Sequence, residues 1–429
     1  MDDLIFLNDI SILQSQSNAG NQDSRPQAWA KNVISVGGVR HGNNAADSDD
    51  SWSFGGSIGP ANDGRIKPDI AAYYEWVWTS DDDPGGYTGG DDYNNFGGTS
   101  AATPIVAGNL GLIYQMWSDG VYGNPVGAGD VFDNRPHNTT AKALLLNSSK
   151  QWNFSGTGHD LTRVHQGWGK PDLRRSYDNG DETFVVNEEF VLADQGSASW
   201  AVTVPAAAPE FRATMVYADR AGTTSSSLHR INDLSLRVTS PSGLIYWGNN
   251  GLLAAMTSTT GGFSNTKDTV EQVIVASPEP GVWTVDVFAD EVNQDTHLET
   301  PGVDADFALV VTPVTSWVGS DPLNQMSLIG FGTPFTGIPT QYLFGNAVGG
   351  APVWLLASDN LAGSVFQGHD FDLGAGIANV ANTNADLGGS GSFMITIPGA
   401  YSGTTLYLEA ASLSGGEWRE SAALQLDVQ

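Results

Sequence analysis

A glycine pair followed by a hydroxyl pair is the sequence feature that most constrains this fold. Gly97 and Gly98 stand directly before Thr99 and Ser100, and residues 101–116 are almost all small or apolar. Glycine permits a sharp backbone turn, and the run behind it predicts a helix. The chain is therefore expected to present one serine where a loop becomes a helix, beside N–H groups that favour negative charge.

Ser100 has two interpretations at this position. A serine or threonine that only caps a helix is common. Capping requires neither the glycine pair nor the small residues that follow it. We therefore interpret Ser100 as a nucleophile, with nearby N–H groups placed to stabilise the oxyanion that forms when a carbonyl is attacked.

The segment around Ser100 resembles the nucleophile motif of subtilisin-like serine proteases (subtilases, peptidase family S8), Gly-Thr-Ser-x-Ala-x-Pro, in residues 98–104. Residues 19–21, Ala-Gly-Asn, followed by the apolar run 33–39, are similar to the family's oxyanion element. The resemblance implies that the Asn21 side chain donates to the oxyanion, whereas a simple turn residue is the alternative for Asn21. Residues 63–70 and 166–172 resemble further elements of the same catalytic domain.

The expected fold has three parts. The resemblance implies an α/β domain over residues 1–181, a partial subtilisin-like parallel sheet with helices. From residue 182 to 315 the hydrophobic period becomes two, and about eight short strands between turns predict an antiparallel jelly-roll β-barrel domain. Residues 316–429 continue this pattern and predict a C-terminal β-sandwich, for which we expect a packing or spacer role.

A general base and an orienting carboxylate are also required for acyl transfer by serine. In the family they lie before the serine, in His-Gly-Thr-x-x-Ala and Asp-Thr/Ser-Gly motifs, and neither motif occurs in this sequence. His41 is the only histidine before Ser100, but it follows the run 33–39, so we do not expect it to be the base. We expect a truncated chain that shows no proteolysis on its own.

The charge balance limits the partners. Forty-eight acidic and 18 basic residues give a formal net charge of −30 at pH 7, which opposes binding to nucleic acid or to an anionic membrane. No cysteine is present, so disulfides and thiolate metal sites are excluded. No apolar run is long enough for a transmembrane helix, and the first residues lack the pattern of a signal peptide. The resemblance implies that the full-length protein is secreted or at the cell surface and acts on polypeptides.

Two questions stay open in the sequence. The acidic run at residues 81–92 offers the oxygen ligands that Ca²⁺ prefers, without the spacing of a helix–loop–helix calcium site. A solvated acidic loop is the favoured interpretation, and calcium is the alternative. The alternative function is a non-catalytic protein derived from a protease, in which the two β domains bind a glycan or a cell surface.

Overall fold

The chain divides into two compact units in the computed structural model, residues 1–197 with 203–315, and residues 198–202 with 316–429. The structure describes residues 1–52, 55–81, 92–124, 126, 131–132, 134–154, 161–223, 225–298, 300, 302–318, 325–330, 334–345, 347, 350–361, 363–366, 369–371, 373–374, 376–386, 390–414, 417–421 and 423–429.

The first 181 residues contain five α-helices and five strands among the described residues, besides short 3-10 turns. In chain order these are α1 (Asp2–Asn8), β1 (Leu13–Ser15), β2 (Ile34–Val39), β3 (Ile70–Tyr73), β4 (Val77–Asp81), β5 (Asp92–Phe96), α2 (Thr99–Ser118), α3 (Asn138–Asn147), α4 (Arg163–Gln166) and α5 (Leu173–Asp178). Strands β4 and β5 form an antiparallel pair that leads into α2.

A small parallel sheet of order β1-β2-β3 is the centre of this region. Val36 in β2 pairs with Ser15 on one side and with Ile70 on the other. All six residues of β2 are buried, as expected for a strand that has neighbours at both edges and is covered by other elements. The run at residues 33–39 is therefore apolar or small because neither face of the strand meets water.

Helix α2 covers the parallel sheet and contacts all three strands. Its buried side chains recur at helical spacing, so that one stripe faces the sheet. The core-facing residues of this stripe are Ala102, Val106, Leu110, Ile113 and Trp117. Glycines such as Gly108 and Gly111 lie on the exposed side of the helix, where a Cβ atom would have no neighbour within 4 Å.

Antiparallel strands follow from residue 184. They are β6 (Phe184–Ala193), β7 (Ser197–Val204), β8 (Glu210–Val216), β9 (Asp233–Thr239), β10 (Ile245–Trp247), β11 (Val270–Ala276), β12 (Gly281–Glu291) and β13 (Asp304–Thr312). One sheet has the order β11-β8-β13-β6, and in a second sheet β9 lies between β10 and β12.

Helix α3 joins these strands to the parallel sheet. It packs against β8 and β13, and its Asn147 Nδ2 donates to the carbonyls of Arg212 and Val310, each at 3.1 Å. A single hydrophobic cluster contains residues from both regions, among them Val36, Ile70, Leu145, Val216, Ile274 and Val310. The core of the first unit therefore runs without interruption across residue 181.

The second unit contains only strands and short turns among its described residues. Its strands are β14 (Ser316–Val318), β15 (Gln325–Gly330), β16 (Pro339–Gly345), β17 (Pro352–Ser358), β18 (Ser364–Phe366), β19 (His369–Phe371), β20 (Ala378–Asn384), β21 (Gly391–Thr396), β22 (Thr405–Ser414), β23 (Glu417–Ser421) and β24 (Leu424–Asp427). Most pairs are antiparallel, and β15 with β23 is parallel. Its own core includes Met326, Tyr342, Val353, Leu355 and Leu408.

The predicted sheet-rich fold with a few helices is confirmed at this level. The helix expected behind Ser100 is α2. No helix of the described chain is long and apolar enough to cross a membrane. Most of the acidic run considered for Ca²⁺, residues 82–91, lies outside the described residues.

Candidate active site

Ser100 lies at the carboxyl ends of the parallel strands. Tyr74, the residue after β3, accepts a hydrogen bond from the Gly98 N–H at 2.6 Å. Ser17, two residues after β1, donates its N–H to Thr99 Oγ1 at 3.2 Å. The start of α2 is thus tied to the ends of β1 and β3, the edge of a parallel sheet where ligands usually bind.

The turn before Ser100 requires a glycine. Gly98 has φ 85° and ψ 171°, a backbone conformation that essentially only glycine adopts. A Cβ atom at this residue would also lie 2.8 Å from Asn18 Nδ2. The glycine pair therefore has the structural role that the sequence predicted for it, and its second member determines how the serine is presented.

Thr99 anchors the first turn of α2. It is completely buried, and both its N–H and its Oγ1 donate to Asn18 Oδ1, each at 2.9 Å. Gly98 stands at the N-cap position and has no side chain to cap the helix. Asn18, which is 81 residues earlier in the chain, supplies the acceptor instead.

Ser100 is exposed. The N–H groups of Ala101 and Ala102 both donate to the Gly98 carbonyl, at 2.9 and 3.3 Å. Within the described part of the chain, neither the N–H nor the hydroxyl of Ser100 has a hydrogen-bond partner. One solvent-facing hydroxyl and one unpaired backbone donor therefore stand together at the positive end of a 20-residue helix.

Asn21 is exposed on the loop that follows β1. Its Oδ1 accepts the Asp23 N–H at 2.7 Å, and its carbonyl accepts the Ile58 N–H at 2.9 Å. Oδ1 is engaged as an acceptor, and among the residues the structure describes no acceptor binds Nδ2, which is the donor group of this side chain. The Asn21 side chain therefore has a donor group that could bind an oxyanion, as the predicted role requires.

Ser57 fixes the loop that carries Asn21. Its hydroxyl accepts the Ala19 N–H at 3.0 Å and donates to the Asp23 carbonyl at 2.8 Å. Its N–H donates to the Ser17 carbonyl at 2.7 Å. The loop is therefore held at both ends, and the same loop contacts Thr99 through Ser17 and Asn18.

The histidine before Ser100 is engaged elsewhere. His41 Nε2 lies 2.6 Å from the Glu75 carbonyl, and its Nδ1 accepts the Asn43 N–H at 3.1 Å. The ring packs on Tyr73 with 4.7 Å between centroids. In the described ranges no histidine or carboxylate is hydrogen-bonded to Ser100, so the structure does not bring a base to the nucleophile.

Asp69 belongs to a buried ionic network. Its carboxylate contacts Lys67 Nζ at 2.6 Å and Lys142 Nζ at 3.2 Å, and it accepts the Ser35 N–H at 2.8 Å. Burial raises the pKa of this carboxyl, but Lys142 and Lys67 outweigh that effect, so the pKa lies below its ordinary value. The contacts join β2 and α3 to the residue before β3, so Asp69 has a structural role.

The contacts of Asn18 and Ser57 with the site are not visible in the sequence. Asn18 was interpretable only as a turn residue between Ser17 and Ala19, and its partner Thr99 is distant in the chain. A polar side chain next to an Ala-Gly-Asn element is the only local signal. Among the described residues no group of three or more His, Asp or Glu side chains is arranged to hold a metal ion.

Comparison with protein families identifies the region that contains this site. The sequence model of the subtilase family matches residues 9–174. This segment belongs to the subtilase family. The subtilases are a family of serine peptidases.

Solved structures and curated proteins add the following comparisons. The chain is similar to the structure of the prenylagaramide maturation protease PagA, with 18% identity, a TM-score of 0.30, and 41% of this chain and 52% of that chain covered. It is also similar to the self-cleaved protease domain of PatA, with 20% identity, a TM-score of 0.27, and 41% and 51% covered. The chain thus spans about half the length of each of these two proteins. None of the curated proteins matches the chain.

Proposed function

We propose that the subtilase segment is the nucleophile- and oxyanion-bearing part of a subtilisin-type serine endopeptidase that cleaves polypeptides. The observation that carries this proposal is the hydroxyl and N–H of Ser100 at the start of α2, which have no partner among the described residues. The second donor is the Nδ2 of the exposed Asn21, on the loop bonded to Thr99. A nucleophile and donors for the oxyanion are two of the parts that acyl transfer requires, besides a base and its orienting carboxylate.

The chemistry follows from these groups. Ser100 Oγ attacks the peptide carbonyl carbon while a base accepts its proton. The carbonyl oxygen becomes an oxyanion and is held by the Ser100 N–H and the Asn21 Nδ2. Collapse of this intermediate breaks the C–N bond, and the base returns the proton to the leaving amine. Water then hydrolyses the acyl-enzyme by the same steps.

We also propose that this chain alone does not hydrolyse peptides at a measurable rate. An unactivated serine is a weak nucleophile, and the only histidine before it in the sequence, His41, has both ring nitrogens in local hydrogen bonds. The base and its orienting carboxylate would come from residues other than those described. Labelling of Ser100 by a fluorophosphonate probe at neutral pH, lost in Ser100→Ala, would overturn this part of the proposal.

An activated ester with an external base tests the proposal directly. The chain is incubated with p-nitrophenyl acetate and imidazole, and acetylation of the peptide containing Ser100 is followed by mass spectrometry. We expect acetylation that is lost in Ser100→Ala and slowed about 10²–10³-fold in Asn21→Ala, because one oxyanion donor is removed. Asn44→Ala, an exposed loop asparagine bonded to Asp49, is the matched control and should react like the wild type. Equal rates in Asn21→Ala and wild type would contradict the assigned donor.

A glycan- or surface-binding role is the second candidate for the C-terminal region. The observation that favours it is a pair of half-buried tryptophans, Trp354 and Trp418, with 5.9 Å between ring centroids in the second unit. Aromatic rings with one exposed side can bind the apolar faces of sugars. A glycan array with the full chain tests this role, and binding that survives Trp354→Ala with Trp418→Ala would contradict it.

We further propose that β6–β13 form a jelly roll and that residues 316–429 form a sandwich. The stacked rings of Phe211 in β8 and Trp283 in β12, 4.8 Å apart, support face-to-face packing of the two sheets in the first unit. A crystal structure of the chain tests both arrangements, and a single open sheet in either region would contradict the proposal for it.

A further inference from the structure

We infer that Asn18 is a positioning residue that fixes the turn carrying Ser100 and couples it to the loop carrying Asn21. The inference rests on the proposed function, since it assigns a part in presenting the same nucleophile. It adds a residue that the motif around Ser100 does not contain and that acts from the other side of the site.

Asn18 determines which backbone donor of the first turn stays unpaired. Its Oδ1 accepts the Thr99 N–H at 2.9 Å, while the next two donors after Ser100, those of Ala101 and Ala102, go to the Gly98 carbonyl. Among the N–H groups of residues 99–102, only that of Ser100 has no acceptor within the described residues. Asn18 therefore engages the Thr99 N–H, the donor next to that of Ser100, and the Ser100 N–H stays available for an oxyanion.

The contact requires an acceptor that can bind twice. Asn18 Oδ1 accepts both the N–H and the hydroxyl of Thr99, and Thr99 is fully buried, so its polar atoms have no access to water. Loss of the acceptor would leave a buried N–H without a partner, which is unfavourable. Gly98 cannot replace it, because glycine has no side chain and because Asn18 Nδ2 occupies the space beside its Cα.

The same residue connects the two halves of the site. Asn18 and Asn21 lie in one short loop, and Ser57 bonds that loop at Ser17, Ala19 and Asp23. A rigid loop that contacts Thr99 at one end and presents Asn21 at the other keeps the oxyanion donors at a fixed separation. Preorganised donors are what make an oxyanion site effective.

Amide hydrogen exchange tests the contact itself. In Asn18→Ala the Thr99 amide should exchange about fivefold faster, the effect of losing a typical helix cap. Asn18→Asp keeps an acceptor at the same position and should restore slow exchange. Gln22→Ala removes a side chain of the same loop that bonds the Pro60 carbonyl, and it should leave Thr99 unchanged. Unchanged Thr99 exchange in Asn18→Ala would overturn the inference.

Acetylation of Ser100 with p-nitrophenyl acetate and imidazole tests the positioning. At a temperature where both proteins are fully folded, Asn18→Ala should acetylate about tenfold more slowly than the wild type, since a small misplacement of a nucleophile costs rate steeply. Faster Thr99 exchange with a wild-type acetylation rate would show a purely structural cap and overturn the inference. Absence of acetylation in the wild type would contradict the proposed function instead, and the exchange result would then decide the contact alone.

Discussion

Gly98→Ala is the substitution for which the structure makes the sharpest prediction. The residue has φ 85° and ψ 171°, and the new Cβ would meet Asn18 Nδ2 at 2.8 Å. Holding a residue other than glycine in this conformation costs about 1–3 kcal/mol. Displacing Asn18 would also remove the cap of Thr99, worth about 1 kcal/mol. We expect the free energy of unfolding of the first unit to fall by about 3 kcal/mol.

Gly108→Ala is the matched control in the same helix. Gly108 is exposed in α2, has ordinary helical backbone, and would place its Cβ in open space. Alanine is the better helix former, so this variant should gain about 0.5–1 kcal/mol.

Native-state hydrogen exchange of the α2 amides in the two glycine variants measures the stability of the first unit separately from that of the second. If Gly98→Ala were within about 0.5 kcal/mol of wild type, the range usual for neutral surface changes, the conformational argument for the Ser100 turn would be refuted.

Two further predictions concern ion pairs, one of them buried and the other partly exposed. Lys142→Met removes one of two ammonium groups that contact the buried Asp69 carboxylate. The free energy of unfolding, measured in urea, should fall by about 3 kcal/mol. A fall below about 1 kcal/mol would contradict the ionic network. Although burial lowers it, the pKa of His137 is raised above its ordinary 6.5 by the carboxylates of Asp9 and Glu188, at 3.2 and 3.1 Å. Because the pKa of His137 is higher in the folded state, its protonation stabilises the fold fully below pH 6.5, and this contribution is lost as the pH rises. The melting temperature should therefore fall between pH 6 and 9. The fall should be smaller in His137→Gln. An equal fall in that variant would exclude His137 as the cause.

Local patterns predicted the presentation of the serine because the information lies within a few residues. The glycine pair and the apolar spacing behind it specify a turn and a helix with one buried stripe, and α2 has that stripe. An apolar run such as residues 33–39 is typical of a strand covered on both faces, and β2 is fully buried. Helix α1 was not predicted, since four apolar residues between polar ones show no clear period.

Contacts between distant segments could not be predicted from these patterns. Asn18 and Thr99 are 81 residues apart, and neither local sequence indicates a contact with the other. The continuous core beyond residue 181 depends on α3 packing against β8 and β13, which a change of hydrophobic period along the chain does not reveal. Periodicity indicates which face of an element is buried, but it does not indicate which other element packs against that face.

The dependence of Ser100 acetylation on imidazole concentration shows whether the chain carries its own base. If Ser100 and its donors form a prepared site without a base, the rate with p-nitrophenyl acetate should rise in proportion to imidazole and extrapolate close to zero without it. A rate that is independent of imidazole would show that the chain holds its own base, and modification of lysines without Ser100 would show that the hydroxyl is not a nucleophile. Either result would contradict the account.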